Sequence, residues 1–360
     1  MANLHSRYLN THSFSSLDGL RALSILAVLW HHTAGEGAGW VLLQRGYLGV
    51  DLFFEISGFL IITLLLRERR ASGTISLGGF YMRRALRILP AYWALLGIVA
   101  LMVWLKPGAT SAELNHDLPF AFFYLSNLVP MGSLLSISWS LSAEEQFYLI
   151  VPALEKFLAR AFPILVLPAL YLCVILPPFG LFAGWHLPGF FRETTFAPIL
   201  LGVMLAHVLN EPRGWAFVNR WLGGPFMPLI TLALVVAACC YPGASITGWP
   251  RLVIHLCLLL LLASCVVREE HALRGLLTWA PVRRVGVVSY GMYLYHMLVY
   301  WPVARLLERT GLHSGVVFFL VLAAATWGVA EVSYRFFERP FLALKKRYSA
   351  AAPRLARQPA

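Results

Sequence analysis

The chain is a succession of long apolar stretches separated by short polar connections. A helix needs about 20 apolar residues to cross ~30 Å of hydrocarbon. Ten stretches reach or approach that length, at residues 17–35, 47–66, 88–105, 138–155, 161–178, 194–209, 225–241, 250–267, 285–305 and 315–336. A shorter apolar run, 118–130, ends in Asn127, Pro130 and Gly132 and reads as a re-entrant or interfacial piece leading into the fourth span. The pattern predicts an all-α fold, a polytopic transmembrane helical bundle of about ten spans. Residues 1–345 are expected to form its membrane domain and residues 346–360 a disordered basic tail, with no appended soluble domain. No fixed-period repeat is visible.

Polar positions give the bundle an orientation. With both termini in the cytoplasm, the inner segments carry 22 of the 29 Lys and Arg residues and the outer ones six; Arg21 lies at the inner end of the first helix. Such an excess is the positive-inside signature. Composition agrees: 59% of residues are hydrophobic and 13% charged, against about 45–50% and about 25% in soluble domains. This excludes a disordered chain, a coiled coil and an ordinary cytosolic enzyme. A net charge of +12 suggests nucleic acid in a soluble protein. Here topology accounts for most of it, and no nucleic-acid partner is expected. The five cysteines sit inside apolar runs without CxxC spacing and read as small buried hydrophobes, so no metal site is expected. The apolar segment 22–30 is bordered by Arg21 and closed by His31 and His32, which suits a retained first helix better than a cleaved signal peptide.

Ionisable groups at membrane depth are costly and therefore mark function by default. Arg21 and His32 are eleven residues apart. At 100° per residue they fall within about 20° of one face, about 16 Å apart along the axis, whereas His31 points about 80° away. Asp51 and Glu55 are four apart on the second helix and share a face. A carboxylate there is placed to fix the tautomer of His32 and raise its basicity, unless it merely caps the helix. Arg83, Arg84 and Arg87 form a cytoplasmic cluster, suited either to anchoring on anionic headgroups or to gripping a phosphorylated ligand. The run Trp139-Ser140-Leu141-Ser142-Ala143-Glu144-Glu145-Gln146-Phe147-Tyr148 spaces Ser140, Glu144 and Tyr148 at four-residue steps. It reads as a capped helix start, although the run is dense for a cap alone. Ser289, Tyr293 and His296 share a face of the ninth span. Glu331 and Arg335 form a structural i,i+4 pair.

Six blocks, in order, resemble the integral-membrane acyltransferase 3 family. They are Leu-Asp-Gly-Leu-Arg-Ala at 17–22 with His32 ten intervening residues after Arg21; Gly-Val-Asp-Leu-Phe-Phe-Glu-Ile-Ser-Gly-Phe-Leu at 49–60; Phe-Tyr-Met-Arg-Arg-Ala-Leu-Arg-Ile-Leu-Pro-Ala-Tyr at 80–92; Trp-Ser-Leu-Ser-Ala-Glu-Glu-Gln-Phe-Tyr at 139–148; Ser-Tyr-Gly-Met-Tyr-Leu-Tyr-His at 289–296; and Arg-Phe-Phe-Glu-Arg-Pro at 335–340. Glu55 departs from the pattern, which usually has an apolar residue there.

The resemblance implies ten helices in a bacterial cytoplasmic (inner) membrane and an O-acetyltransferase. It would move an acyl group, usually acetyl, from cytoplasmic acyl-CoA to a hydroxyl of an extracytoplasmic or lipid-linked glycan. The implied partners are membrane lipid, acyl-CoA and that glycan, with acyl-CoA as a donor substrate and no permanently bound cofactor. His32, oriented by Asp51, is expected as general base, with Glu144 assisting. Arg21, Arg83, Arg84 and Arg87 are expected to hold the donor. Trp139, Ser140, Tyr148, Tyr293, His296 and Glu55 are expected to position the acceptor or support the fold. Acylation of a small molecule such as a macrolide is the alternative within the class. A secondary transporter is the alternative outside it.

Overall fold

The computed structural model describes all residues except 1, 12, 36–39, 106–107, 160, 175–195, 243–245, 247, 313 and 349–360. Most of the tail expected at 346–360 therefore lies outside the described residues, as does the connection between the fifth and sixth expected spans. Regular structure among the described residues is entirely helical: α1 (Ala2–Asn10), α2 (Leu17–Trp30), α3 (Val41–Gln44), α4 (Gly49–Ser72), α5 (Leu77–Leu105), α6 (Ala109–Phe122), α7 (Ser138–Leu158), α8 (Phe162–Val174), α9 (Phe196–Asn210), α10 (Pro212–Leu222), α11 (Met227–Cys239), α12 (Trp249–Val267), α13 (Arg274–Leu277), α14 (Ala280–Val287), α15 (Ser289–Thr310), α16 (Gly315–Val332) and α17 (Arg339–Leu344). A π-helical turn, His31–Gly35, extends α2, and another, Ser333–Glu338, joins α16 to α17.

The centre of the bundle is α4. Its most apolar stretch is 78% buried inside the protein, against 22% for the last long helix. It ends where Gly73 adopts φ 76° and donates its N–H to the Arg69 carbonyl at 2.8 Å, a left-handed stop that glycine makes without steric cost. Gly58 and Gly202 let α4 and α9 meet backbone to backbone. A Cβ at Gly58 would strike the Ile199 carbonyl, and one at Gly202 the Glu55 carbonyl. Small residues at such crossings are what packing in lipid favours, because close van der Waals contact replaces the hydrophobic effect there. Helices α4 and α7 run parallel, with Trp139 edge-on to Phe54, Glu144 on Ser57 and Glu155 on Arg69. Glu155 is fully buried and is held by Arg69 at 2.6 Å and His207 at 3.1 Å. The outer faces carry exposed Trp93, Ile98, Leu101, Met102 and Trp104 on α5, and Phe157, Ile164 and Leu167 on α7 and α8, a surface made for lipid rather than water.

Among the described residues four helices are long and apolar enough to cross a membrane, Gly46–Ser72, Leu77–Leu105, Trp249–Val267 and Gly315–Leu344, fewer than the ten expected. A bent pair, Pro212–Leu222 with Met227–Cys239, supplies a fifth candidate and breaks by 78°. Length and charge account for the shortfall among the described residues. α2 has 14 residues and α9 has 15, α7 carries Glu144, Glu145, Glu155 and Lys156, and α15 ends in Arg305, Glu308 and Arg309. The expected ninth span, 285–305, is split at Val288 into α14 and α15. The segment 212–222, between the sixth and seventh expected spans, is a helix with apolar and basic faces.

Candidate active site

Where α2, α4, α5, α7 and α15 converge, they enclose a cavity of about 90 Å³ lined by Arg21, Ser57, Arg84, Arg87, Ser140, Glu144, Glu145, Tyr148, Ser289, Tyr290 and Tyr293 together with apolar side chains. A second cavity, about 120 Å³, is bounded by Asp18, Arg21, Arg87, Tyr290, Glu338 and Leu342. Arg21, Arg87 and Tyr290 line both, so the two cavities adjoin at these three side chains. We call the first cavity the inner chamber and the second the outer chamber; both are partly open.

One wall of the inner chamber is a hydroxyl–carboxylate chain. Glu144 accepts hydrogen bonds from the Ser57 hydroxyl of α4 and from the Tyr148 phenol one turn along α7. The Arg84 guanidinium lies 5.0 Å over the Tyr148 ring and 5.7 Å over Phe80, contacts that suit a planar cation. Opposite, the Ser140 and Tyr293 hydroxyls are 2.6 Å apart, and Tyr293 also donates to the Ile137 carbonyl at 3.2 Å. Tyr290 donates to the Ile88 carbonyl at 3.0 Å.

His32 lies beyond this chamber, one ring further along. Tyr293 and His296 have ring centroids 5.6 Å apart, and His296 and His32 4.9 Å apart, edge to face. His32 Nδ1 is 2.9 Å from the Val28 carbonyl, and His296 Nδ1 is 2.6 Å from the Tyr293 carbonyl. A carbonyl only accepts, so both Nδ1 atoms carry a proton. His296 is fully buried and its Nε2 has no hydrogen-bond partner.

Asp51 does not orient His32. Its carboxylate lies between Arg251 (3.1 and 3.2 Å) and His255 (3.0 Å) of α12. The side of α4 bearing Asp51 turns towards α12, and the Val28 carbonyl fixes the tautomer instead. Glu55 is fully buried with neither oxygen hydrogen-bonded; it lies at the crossing with α9, outside both cavities. Arg83 also turns away: it pairs with Glu68 at 2.9 Å and donates to the Tyr348 carbonyl at 2.6 Å. Trp139 packs edge-on to Phe54 and lines neither chamber. Arg21, Arg84, Arg87, Ser140, Glu144, Tyr148 and Tyr293 all meet at the inner chamber. Ser57, Glu145 and Tyr290 join them without having been singled out from the sequence, although Glu145 and Tyr290 lie inside the quoted blocks. Arg251 and His255 were also passed over, although they are four apart within an apolar span, the same signal that marked Asp51 and Glu55. No cluster of three or more His, Cys, Asp or Glu side chains suited to a metal occurs among the described residues.

An apolar helical bundle around a small chamber, with cations at one end and paired imidazoles at the other, is the outline of a membrane-embedded group-transfer enzyme. The acyltransferase domain of the acyltransferase 3 family matches residues 14–333, and the chain belongs to that family. It is 29% identical over 362 residues to the peptidoglycan O-acetyltransferase OatA of Listeria monocytogenes, covering 90% of this chain and 55% of that one. A candidate O-acetyltransferase of Staphylococcus aureus is 30% identical, with 93% of this chain and 58% of that one covered. YrhL, a candidate peptidoglycan O-acetyltransferase of Bacillus subtilis, is 30% identical, with 93% and 55% covered. The chain thus spans a little over half the length of these relatives. No solved structure matches it.

Proposed function

We propose that the protein transfers an acetyl group from acyl-CoA, bound on the cytoplasmic side, to a hydroxyl of a cell-surface glycan. The observation that carries this reading is the row of groups from Arg84 and Arg87, through a small chamber, to Tyr293, His296 and His32. Each part has a task on this reading. Phosphates are too polar to enter lipid, and guanidinium forks match their oxygens; Arg21, Arg84 and Arg87 hold the donor at the mouth while its acyl end enters the chamber. His32 Nε2 accepts the proton of the acceptor hydroxyl as its oxygen attacks the thioester carbonyl. The tetrahedral intermediate collapses by breaking the C–S bond, and the coenzyme A thiolate takes that proton from His32. On this reading the Ser140 and Tyr293 hydroxyls, bonded to each other and to the Ile137 carbonyl in the resting site, turn from these partners to the negative oxygen of that intermediate. Acyl-CoA as donor and glycan as acceptor are this reading's chemical assignment; the relatives' names support the acceptor. The further topology it needs is ten helices in the bacterial inner membrane, with both termini inside.

The test is direct. Full-length protein is reconstituted in proteoliposomes and supplied with [acetyl-¹⁴C]acetyl-CoA and peptidoglycan fragments. Label should pass to the glycan as a base-labile ester. Protein that is folded and saturated with both substrates yet transfers no label would refute the reading.

A further inference from the structure

The C-terminal segment borders the basic outer chamber. Leu342 of α17 lines the outer chamber beside Arg21 and Arg87. Lys345 follows three residues later, one turn on along the same face. The turn Lys345–Tyr348 is fastened to α5 by Arg83, which donates to the Tyr348 carbonyl at 2.6 Å while paired with Glu68. Arg83 is thus neutralised and occupied as a clasp. Arg84 and Arg87 differ. Neither has a carboxylate within ion-pairing distance among the described residues: Asp18 is taken by Arg21, Glu68 by Arg83, and Glu338 accepts from the Ser333 hydroxyl. Glu144 is engaged by Ser57 and Tyr148, and Glu145 lines the inner chamber without pairing. Burial, with the fields of Arg87, Arg84 and Arg83, pushes the Lys345 ammonium down to about 8.

We propose that Lys345 joins Arg84 and Arg87 in binding the phosphates of the acyl donor, making the C-terminal turn part of the donor site rather than a mere end of the last helix. The inference rests on the donor reading above. Three cations converging from two elements suit a polyphosphate better than a single carboxylate, because several separated charges can each meet a different oxygen. An anionic lipid headgroup offers the same phosphate chemistry, and the experiment separates the two.

Full-length wild-type protein, K345A and K345R are placed in nanodiscs of neutral phosphatidylcholine, and equilibrium binding of radiolabelled coenzyme A is measured. The wild type should bind. K345A should bind about five- to thirtyfold more weakly at pH 7, and K345R close to wild type, with all three melting alike. As pH rises through about 8 the lysine loses its proton, so wild-type affinity should fall towards that of K345A, while K345R, whose charge persists, stays flat. The charged groups facing Lys345 from α5 are Arg83, Arg84 and Arg87, which hold their charge across this range. Equal affinity of K345A and wild type overturns the inference and leaves the donor reading standing. Absence of wild-type binding overturns both. A Lys345 effect confined to uptake of phosphatidylglycerol, added in a parallel set of nanodiscs, assigns the site to lipid and overturns the donor role.

Discussion

His32 and His296 meet edge to face with ring centroids 4.9 Å apart, and each gives its Nδ1 proton to a backbone carbonyl. The two imidazoles come from helices at opposite ends of the sequence, yet both carry this Nδ1 proton. Asparagine reproduces the Nδ1 donor and lacks any counterpart of Nε2. His32→Asn should therefore preserve the helix bond to Val28 and still lower acetyl transfer by about 10²–10⁴-fold, the usual contribution of a general base. His296→Asn should lower transfer while leaving coenzyme A affinity unchanged. Rates in proteoliposomes, paired with thermal unfolding in detergent, check both.

Asp51 is predicted to act on the fold. Removing one partner of a buried ion pair typically costs about 3–5 kcal/mol, because the other charge stays buried alone. Asp51→Asn removes the buried carboxylate that Arg251 and His255 share, so its melting temperature and yield should drop well below those of His32→Asn. A variant that melts normally but transfers nothing would instead return Asp51 to the chemistry.

Much of the site was legible, and the failures have physical causes. Helical spacing found Arg84, Arg87, Ser140, Glu144, Tyr148 and Tyr293 because each shares a face with its sequence neighbours, and local periodicity settles which way a helix side chain points. The partner of Asp51 was not accessible in this way: Arg251 and His255 lie about 200 positions away, and which side of α4 faces α12 depends on the Gly58–Gly202 crossing. The sequence points to a carboxylate for the tautomer of His32 because Asp51 lies on the neighbouring helix. Its actual partner is the carbonyl four residues back, at the π-helical end of α2. The ten apolar stretches were visible, but hydropathy alone did not show the break at Val288 or the 78° bend between α10 and α11.

Glu55 tests the cost of an unpaired buried group. A buried carboxyl without hydrogen bonds carries a desolvation penalty of about 1–3 kcal/mol, and neither of its oxygens has a partner. Glu55→Met fills a similar volume without that penalty. It should raise thermal stability by about that amount and leave transfer intact. A loss of transfer at normal stability would give Glu55 a role in the reaction.

The α4–α9 crossing should be intolerant of a single methyl. Gly202→Ala places its Cβ against the Glu55 carbonyl and the Phe59 amide, backbone atoms that cannot swing aside. Overpacking of this kind typically costs about 1–3 kcal/mol. A fall in melting temperature is expected, with weaker folding rather than altered donor affinity. An unchanged melting curve would mean the two helices can separate without cost.

The central claim is that an acyl group travels from a donor held at Arg84 and Arg87 to an acceptor activated by His32. Its most direct measurement is the initial rate of label transfer from acetyl-CoA to peptidoglycan fragments by wild type, Arg84→Ala and His32→Asn in the same proteoliposomes, across a range of donor concentrations. Arg84→Ala should raise the KM for acetyl-CoA with kcat largely kept, and His32→Asn should lower kcat with that KM kept. Full wild-type kinetics in His32→Asn, or an unaltered donor KM in Arg84→Ala, would contradict the account.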